Sequence, residues 1–190
     1  MGMINALTTR RSVYKIGNTL PVDEAEVVRV VKETAALVPD AFDMKSQRVV
    51  LALGDRHDAL WDAIYDAFGG KVAREKIDDF KAGYGTVLYF YDAAVVRSMQ
   101  EKFTLYAANF PVWAQQANGM LQLAVWAGFA ELGVGANIQH YNPVIDEAVR
   151  TLFGLPGNYV LVAQMPFGGI VEPPARKAGE DISLRVRVER

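Results

Sequence analysis

Three short segments carry residue types that could do chemistry, and they lie far apart in the chain. Arg10-Arg11-Ser12, with Tyr14 just beyond, offers two guanidinium forks, a hydroxyl and a phenol. That set suits a phosphate or an anionic heteroaromatic ring. The same arginines at a helix end would also stabilise its dipole, by ~0.3–1 kcal/mol, with no ligand present. Near the other terminus Arg176-Lys177 forms a second basic pair in a proline- and glycine-rich stretch. If the chain ends meet in space, the two pairs can clamp one anionic group; otherwise the second is a solvated charge pair. The third segment is Gly133-Val-Gly-Ala-Asn-Ile-Gln-His-Tyr-Asn-Pro143. Its glycines release the chain from helical geometry and Pro143 forbids resumption, so the backbone can approach a flat ligand and expose N–H groups. A glycine-terminated helix leading into an ordinary loop would read the same way.

The elements that must position these segments follow from hydrophobic period and punctuation. Residues 2–9 read as a short helix and 14–21 as a loop; a helix opens at Asp23 or Glu24, buries Val27, Val30 and Val31, and stops before Pro39. Pro39 to Arg48 is a polar loop at a helix-to-strand junction, a common border of ligand sites. Residues 48–53 and 86–91 are rich in Val, Leu and aromatic residues and read as buried strands; each is followed by a helix, 57–68 and 92–103. Between them, 71–81 reads as a charged, exposed helix. Pro111 opens a long helix to about Glu131 whose apolar residues, among them Met120, Leu121, Leu123, Val125, Trp126 and Phe129, fall on nearly every side. In a chain this small such a helix is expected in a subunit interface. A helix over 143–153, a buried strand over 159–165 and an alternating edge or exposed strand over 182–188 complete the order.

Composition narrows the classes. The 190 residues are 51% hydrophobic, enough for one domain over 1–190 with a sizeable core. The absence of cysteine removes disulfides, thiolate metal sites and a cysteine nucleophile, and two distant histidines leave no metal motif. A net charge of −2 with scattered basic residues argues against a nucleic-acid partner. Apolar stretches interrupted by polar residues, after an N-terminus without a basic start, imply a cytoplasmic protein with no membrane segment. The phosphate-loop, dinucleotide-fold and nucleophile-elbow patterns are missing.

Taken in order, Thr9-Arg-Arg-Ser12, Pro39-x-x-Phe-Asp43 leading to Arg48-Val-Val, and Gly133-x-Gly-Ala-x-x-Gln-His-Tyr-Asn-Pro143 resemble the nitroreductase family of flavoproteins. The resemblance is to its short-chain branch, which includes the yeast fatty-acid-repression-type nitroreductases, and it covers about residues 5–188. It implies an α+β fold, a three-layer α-β-α sandwich around a mainly antiparallel sheet. It further implies an interlocked homodimer with the C-terminal strand exchanged and one FMN per subunit at the interface. By position, Arg10, Arg11, Ser12 and Tyr14 would grip the flavin phosphate and pyrimidine edge, with Arg176 or Lys177 as the second phosphate contact. The partner subunit would lay Asp40, Phe42, Asp43, Lys45 and Ser46 against the flavin. Ile138, Gln139, His140 and Tyr141 would border the ring, the His140 backbone N–H facing its reactive nitrogen, with no side-chain acid or base required. Phe103, Tyr106, Phe110 and Trp113 would stack on flat acceptors or simply pack the core.

The activity so implied is transfer of hydride from NADH or NADPH to FMN and then to a nitroaromatic, quinone or related electrophilic acceptor, in ping-pong order. The family usually carries Asn and Gln where this chain has Asp43 and Lys45. The two charges can pair; otherwise Asp43 would repel an anionic reduced flavin. A flavin-binding or lipid-responsive regulatory protein of the same fold, with slow turnover, is the alternative this substitution keeps open.

Overall fold

The structure is a computed structural model that describes residues 2–175 and 178–190; Arg176 and Lys177, the second phosphate contact expected from sequence, lie outside the described residues. Helix α1 (Met3–Thr9) ends at Arg10 and is followed by a two-residue strand β1 (Ile16–Gly17). Helix α2 (Glu24–Leu37) sets Glu24 and Glu26 in its first turn, where the dipole favours carboxylates, and buries Val27 and Val31. A short 3₁₀ turn (Ala41–Asp43) leads into β2 (Gln47–Leu53), α3 (Asp55–Phe68), α4 (Arg74–Lys81) and β3 (Gly85–Asp92). Asp92 closes β3 and caps α5 (Ala93–Lys102) by accepting from the Ala94 and Val95 amides. A second 3₁₀ turn (Thr104–Tyr106) precedes the long α6 (Phe110–Glu131), with Pro111 at its start, where a missing N–H costs nothing. Strand β4 (Gly135–Ala136), α7 (Asp146–Phe153) and β5 (Tyr159–Ile170) follow.

The sheet is antiparallel, in the order β1-β5-β3-β2, with β4 also paired to β5. Strand β5 is its hub. Between Tyr89↔Ala163 and Phe90↔Leu161 the register shifts, leaving Val162 as the extra residue of a bulge. Alternation along β3 sorts the core into two layers. Val87 and Tyr89 face α2 and α6, joining Val31, Leu121, Val125 and Phe129. Leu88 and Phe90 face α3, α4 and α7, joining Leu60, Trp61, Phe80 and Val149. The expected α+β three-layer sandwich is the result. At the α2–α6 crossing a Cβ on Gly128 would sit 2.6 Å from Val30 Cγ1, so glycine there lets the helices approach.

Several sequence expectations are corrected. Helix α4 starts at Arg74, not 71, and is not an exposed helix, because Ile77 and Phe80, three apart on one face, are buried in the core. Residues 143–145 form a turn, and α7 begins only at Asp146. The alternation over 182–188 yields no strand in the described chain. A 3₁₀ turn forms at Ile182–Leu184, with the Asp181 carboxylate accepting from the Ser183 amide at 3.0 Å. Leu184 is 85% exposed, and Val186 and Val188 are exposed with it. Alternation gives a segment one apolar face, but a strand exists only where a neighbour supplies donors and acceptors, and none of the described residues does so here.

Candidate functional site

The N-terminal and glycine-loop segments run side by side. Ser12 bridges Ala136 in parallel, the Val13 amide donates to Ala136 O at 3.0 Å, and the buried Asn137 amide group donates to Val13 O at 2.8 Å. Arg10 stacks over Trp126 at 4.1 Å from the ring centre, while Trp126 Nε1 donates to Ala136 O. Partial burial, and then the charge of Arg11, pull the Arg10 guanidinium below its ordinary pKa, although an arginine stays charged. Neither arginine has a carboxylate partner among the described residues. They face a cavity of about 530 Å³ lined by Arg10, Arg11, Ser12, Tyr14 and Lys15 on one side and residues 172–175 on the other. Arg11 Nη2 donates to Ala175 O at 2.8 Å, so the chain ends do converge here, one residue before the second basic pair. Two adjacent cations without a carboxylate partner among the described residues, beside a hydroxyl, are groups that could hold an anion.

The glycine loop presents fewer free amides than its glycines suggest. Gly133, at φ 74°, turns the chain out of α6, and its amide and that of Val134 bond back to the helix. Beyond β4 the loop behaves as an edge strand. The amides of Asn137 and Gln139 donate to Pro166 O and Gln164 O, and that of Tyr141 to the Gln164 side-chain oxygen. The same alternation turns the amides of Ile138 and His140 away from the sheet, where they meet no acceptor among the described residues. The His140 side chain is exposed. The Gln139 side chain is used locally, donating to Asn137 Oδ1 at 2.7 Å. The Tyr141 ring is turned to the opposite face, edge-on to Phe68 and Trp61. Its hydroxyl, buried without a partner among the described residues, is held above the ordinary phenol range by that burial.

The loop after Pro39 is strained and tied. Phe42, Asp43 and Lys45 all take positive φ, at 55°, 50° and 53°. Asp40 locks its two ends, accepting from the Ala41 amide and, through its other oxygen, from the Ser46 amide and hydroxyl. The Asp40 and Ser46 side chains are thereby committed to the loop itself. Asp43 and Lys45 form an exposed ion pair at 3.3 Å. Phe42, 49% exposed, meets Phe103 at 4.9 Å, Phe110 at 5.3 Å, Trp113 at 5.7 Å in a near-parallel stack and Tyr106 at 5.9 Å. The four residues expected to stack on acceptors therefore form one aromatic wall together with Phe42. Phe110 is fully buried and backs the wall; Tyr106 and Phe42 are its exposed members.

Within one chain this wall and loop do not line the arginine cavity, nor do Gln139, His140 or Tyr141. Sequence reasoning missed Asn137, Gln164 and Trp126, which fix the glycine loop and Arg10. Gln164 carried a signal: an amide inside the apolar run Tyr159–Met165 must be satisfied if buried. Among the described residues no cluster of His, Cys, Asp or Glu could hold a metal, and no helix is long and apolar enough to cross a membrane.

Known proteins share the sequence pattern and the fold. The model of the "Nitroreductase family" matches residues 7–169. The nitroreductase FRM2 of Saccharomyces cerevisiae is 32% identical over 177 residues, 92% of this chain and 91% of that protein. The nitroreductase CinD from Lactococcus lactis, solved in complex with chloramphenicol, is 41% identical, with a TM-score of 0.94 over the whole of both chains. A nitroreductase-like protein from Exiguobacterium sibiricum in complex with FMN, at 12% identity, shares the fold with a TM-score of 0.76. The chain belongs to the nitroreductase family.

Proposed function

We propose that this nitroreductase-type oxidoreductase depends on FMN, takes hydride from NADH or NADPH, and passes it to nitroaromatic, quinone or related electrophilic acceptors, donor and acceptor using one pocket in turn. The observation that carries the reading is the Arg10–Arg11 pair, without a carboxylate partner among the described residues, at a cavity beside a loop whose Ile138 and His140 amides point outward. These residues fit FMN. Arg10, Arg11 and Ser12 supply charge and donors for its phosphate and pyrimidine edge, with Tyr14 at the rim, and Arg176 or Lys177, next after the Ala175 held by Arg11, would close the phosphate contact. Bound FMN supplies the hydride acceptance and return that the side chains lack. The chain orients the ring through the outward amides, which fix it without introducing a competing acid, and the aromatic wall aligns a flat acceptor. CinD structures in complex with nicotinic acid and with 4-nitrophenol support a pocket for small aromatic molecules.

The functional unit in this reading is a homodimer. Exposed Met120 and Leu123 on α6 line a largely apolar groove of about 600 Å³ between α1, α2 and α6. Large exposed apolar surface of this kind marks an interface. The exposed, alternating Ile182, Leu184, Val186 and Val188 suit a C-terminal strand exchanged onto the other subunit. The same dimer would bring the 40–46 loop and the aromatic wall of one subunit to the flavin of the other. The slow-turnover regulatory alternative drew on the charges of Asp43 and Lys45, and their ion pair offsets each other's field locally. Anaerobic mixing of the purified, FMN-loaded protein with NADH or NADPH tests the reading. Rapid bleaching, with colour restored by a nitroaromatic, is expected; persistent yellow colour would contradict turnover.

A further inference from the structure

The strained loop that carries Phe42 is tied to itself by Asp40, and at its far end it is tied to the sheet and to α5 by Arg48. Its Nη1 donates to Lys45 O at 2.8 Å and Gln47 O at 2.9 Å, its Nη2 to Asp92 Oδ2 at 2.9 Å and its Nε to the Tyr159 hydroxyl at 3.2 Å. Lys45 is the last of the three residues at positive φ, so the carbonyl that Arg48 holds is the one through which the loop leaves its left-handed conformation. Asp92 is held in turn. Its Oδ1 caps α5 and accepts from Asn158 Nδ2, and the Asp92 amide donates to Ser46 O at 2.8 Å. Helix α5 ends at Phe103, the ring nearest to Phe42. The one guanidinium therefore joins both halves of the aromatic wall: the loop bearing Phe42 and, through Asp92, the helix leading to Phe103.

We propose that Arg48 is a positioning residue that sets the register of Phe42 against the aromatic wall, and so the fit of a flat aromatic acceptor. The acceptor part rests on the oxidoreductase reading above; the positioning part does not. The geometry calls for arginine specifically. Its planar fork meets a carbonyl pair, a carboxylate and a phenol from fixed directions, whereas a lysine ammonium is a point charge on a flexible stem and cannot reach all of them at once.

The test uses the full chain labelled with 5-fluorotryptophan and read by ¹⁹F NMR without pyridine nucleotide, in Arg48→Lys and Arg48→Met. The Trp113 resonance, assigned by its loss in Trp113→Phe, is expected to move or broaden in both variants, while those of Trp61 and Trp126 stay in place. With turnover as the second readout, the KM for a nitroaromatic carboxylate is expected to rise roughly tenfold, with kcat changed far less. An unshifted Trp113 resonance in Arg48→Met would overturn the proposal. So would equal disturbance of all three tryptophans in both variants, which would make Arg48 a general structural residue. Because the NMR arm needs no redox activity, its outcome is separable from the failure of the oxidoreductase reading.

Discussion

The two faces of the sheet solve the same burial problem and end in opposite states. On the α3–α4 side most buried polar groups are closed within the chain, the Tyr141 hydroxyl and Asp146 Oδ1 being the exceptions among the described residues. His57 Nδ1 lies 2.9 Å from Thr86 Oγ1, its Nε2 lies 3.1 Å from Lys81 O, and Trp61 Nε1 donates to Thr86 Oγ1 at 3.0 Å. The Lys81 carbonyl can only accept, so Nε2 carries the proton and the Thr86 hydroxyl donates to Nδ1 while accepting from Trp61. Several surface cations are paired as well: Lys15 with Asp79, Lys81 with Asp62, Arg74 with Asp78. Toward α1 and α6, Arg10 and Arg11 have no carboxylate partner among the described residues, two loop amides point outward and apolar side chains of α6 are exposed. Both faces carry a buried core, and the second also carries the groups on which the proposed flavin binding depends.

Breaking the closed face should cost stability and leave binding intact. Trp61→Ala removes a fully buried ring at the centre of its cluster and one donor to Thr86, and is expected to lower unfolding stability by about 3–5 kcal/mol in urea, with the folded fraction still binding FMN. Breaking the open face should do the reverse. Arg11→Ala is expected to weaken FMN binding by roughly 10- to 100-fold while the unfolding midpoint without flavin stays near that of the parent protein, because its side chain's one hydrogen bond among the described residues is an exposed one to Ala175 O.

The pH dependence sharpens the comparison with a smaller effect. Burial, opposed by its bonds to the backbone, pushes the His57 pKa below its ordinary value of about 6.5. The unfolded chain then binds the proton more readily than the folded one, so stability is full above about pH 6.5 and is lost as pH falls below it. His57→Gln should flatten that slope in denaturant unfolding. For Asp92, partial burial raises the pKa, but bonds from Asn158 and the Ala94 and Val95 amides, with the Arg48 charge, outweigh it and hold the carboxyl low. Its contribution is present above about pH 3.9 and is lost in more acid solution. The smallest effect belongs to Asp43→Asn. The pair with Lys45 is about four-fifths exposed, so thermal unfolding should change by less than ~0.5 kcal/mol.

What could be read from the sequence follows the range of the interactions involved. Strands β2 and β3 and helices α2, α3 and α6 were legible because their own residues carry the period and the stop signals, such as Gly54 before α3 and Pro111 at the start of α6. Strands β1 and β4 were not, since two residues become a strand only by pairing with β5 from far along the chain. The reverse case is Ile182–Val188, where the alternation is present and no pairing partner stands among the described residues. At the site, the convergence of Arg11 with residue 175 was inferable as a possibility from two basic pairs, and the geometry supplies the contact. The commitment of Asp40 to Ser46, the inward turn of the Tyr141 ring and the fourfold grip of Arg48 depend on backbone angles that no spacing encodes.

The central claim is that Arg10 and Arg11 hold a phosphate. Parallel titrations of the flavin-free protein with FMN and with riboflavin, followed by flavin fluorescence, test it most directly. FMN should bind at one per chain and at least tenfold more tightly than riboflavin, and Arg11→Ala should shrink that gap. Equal affinity for the two flavins, or no binding of either, would contradict the account.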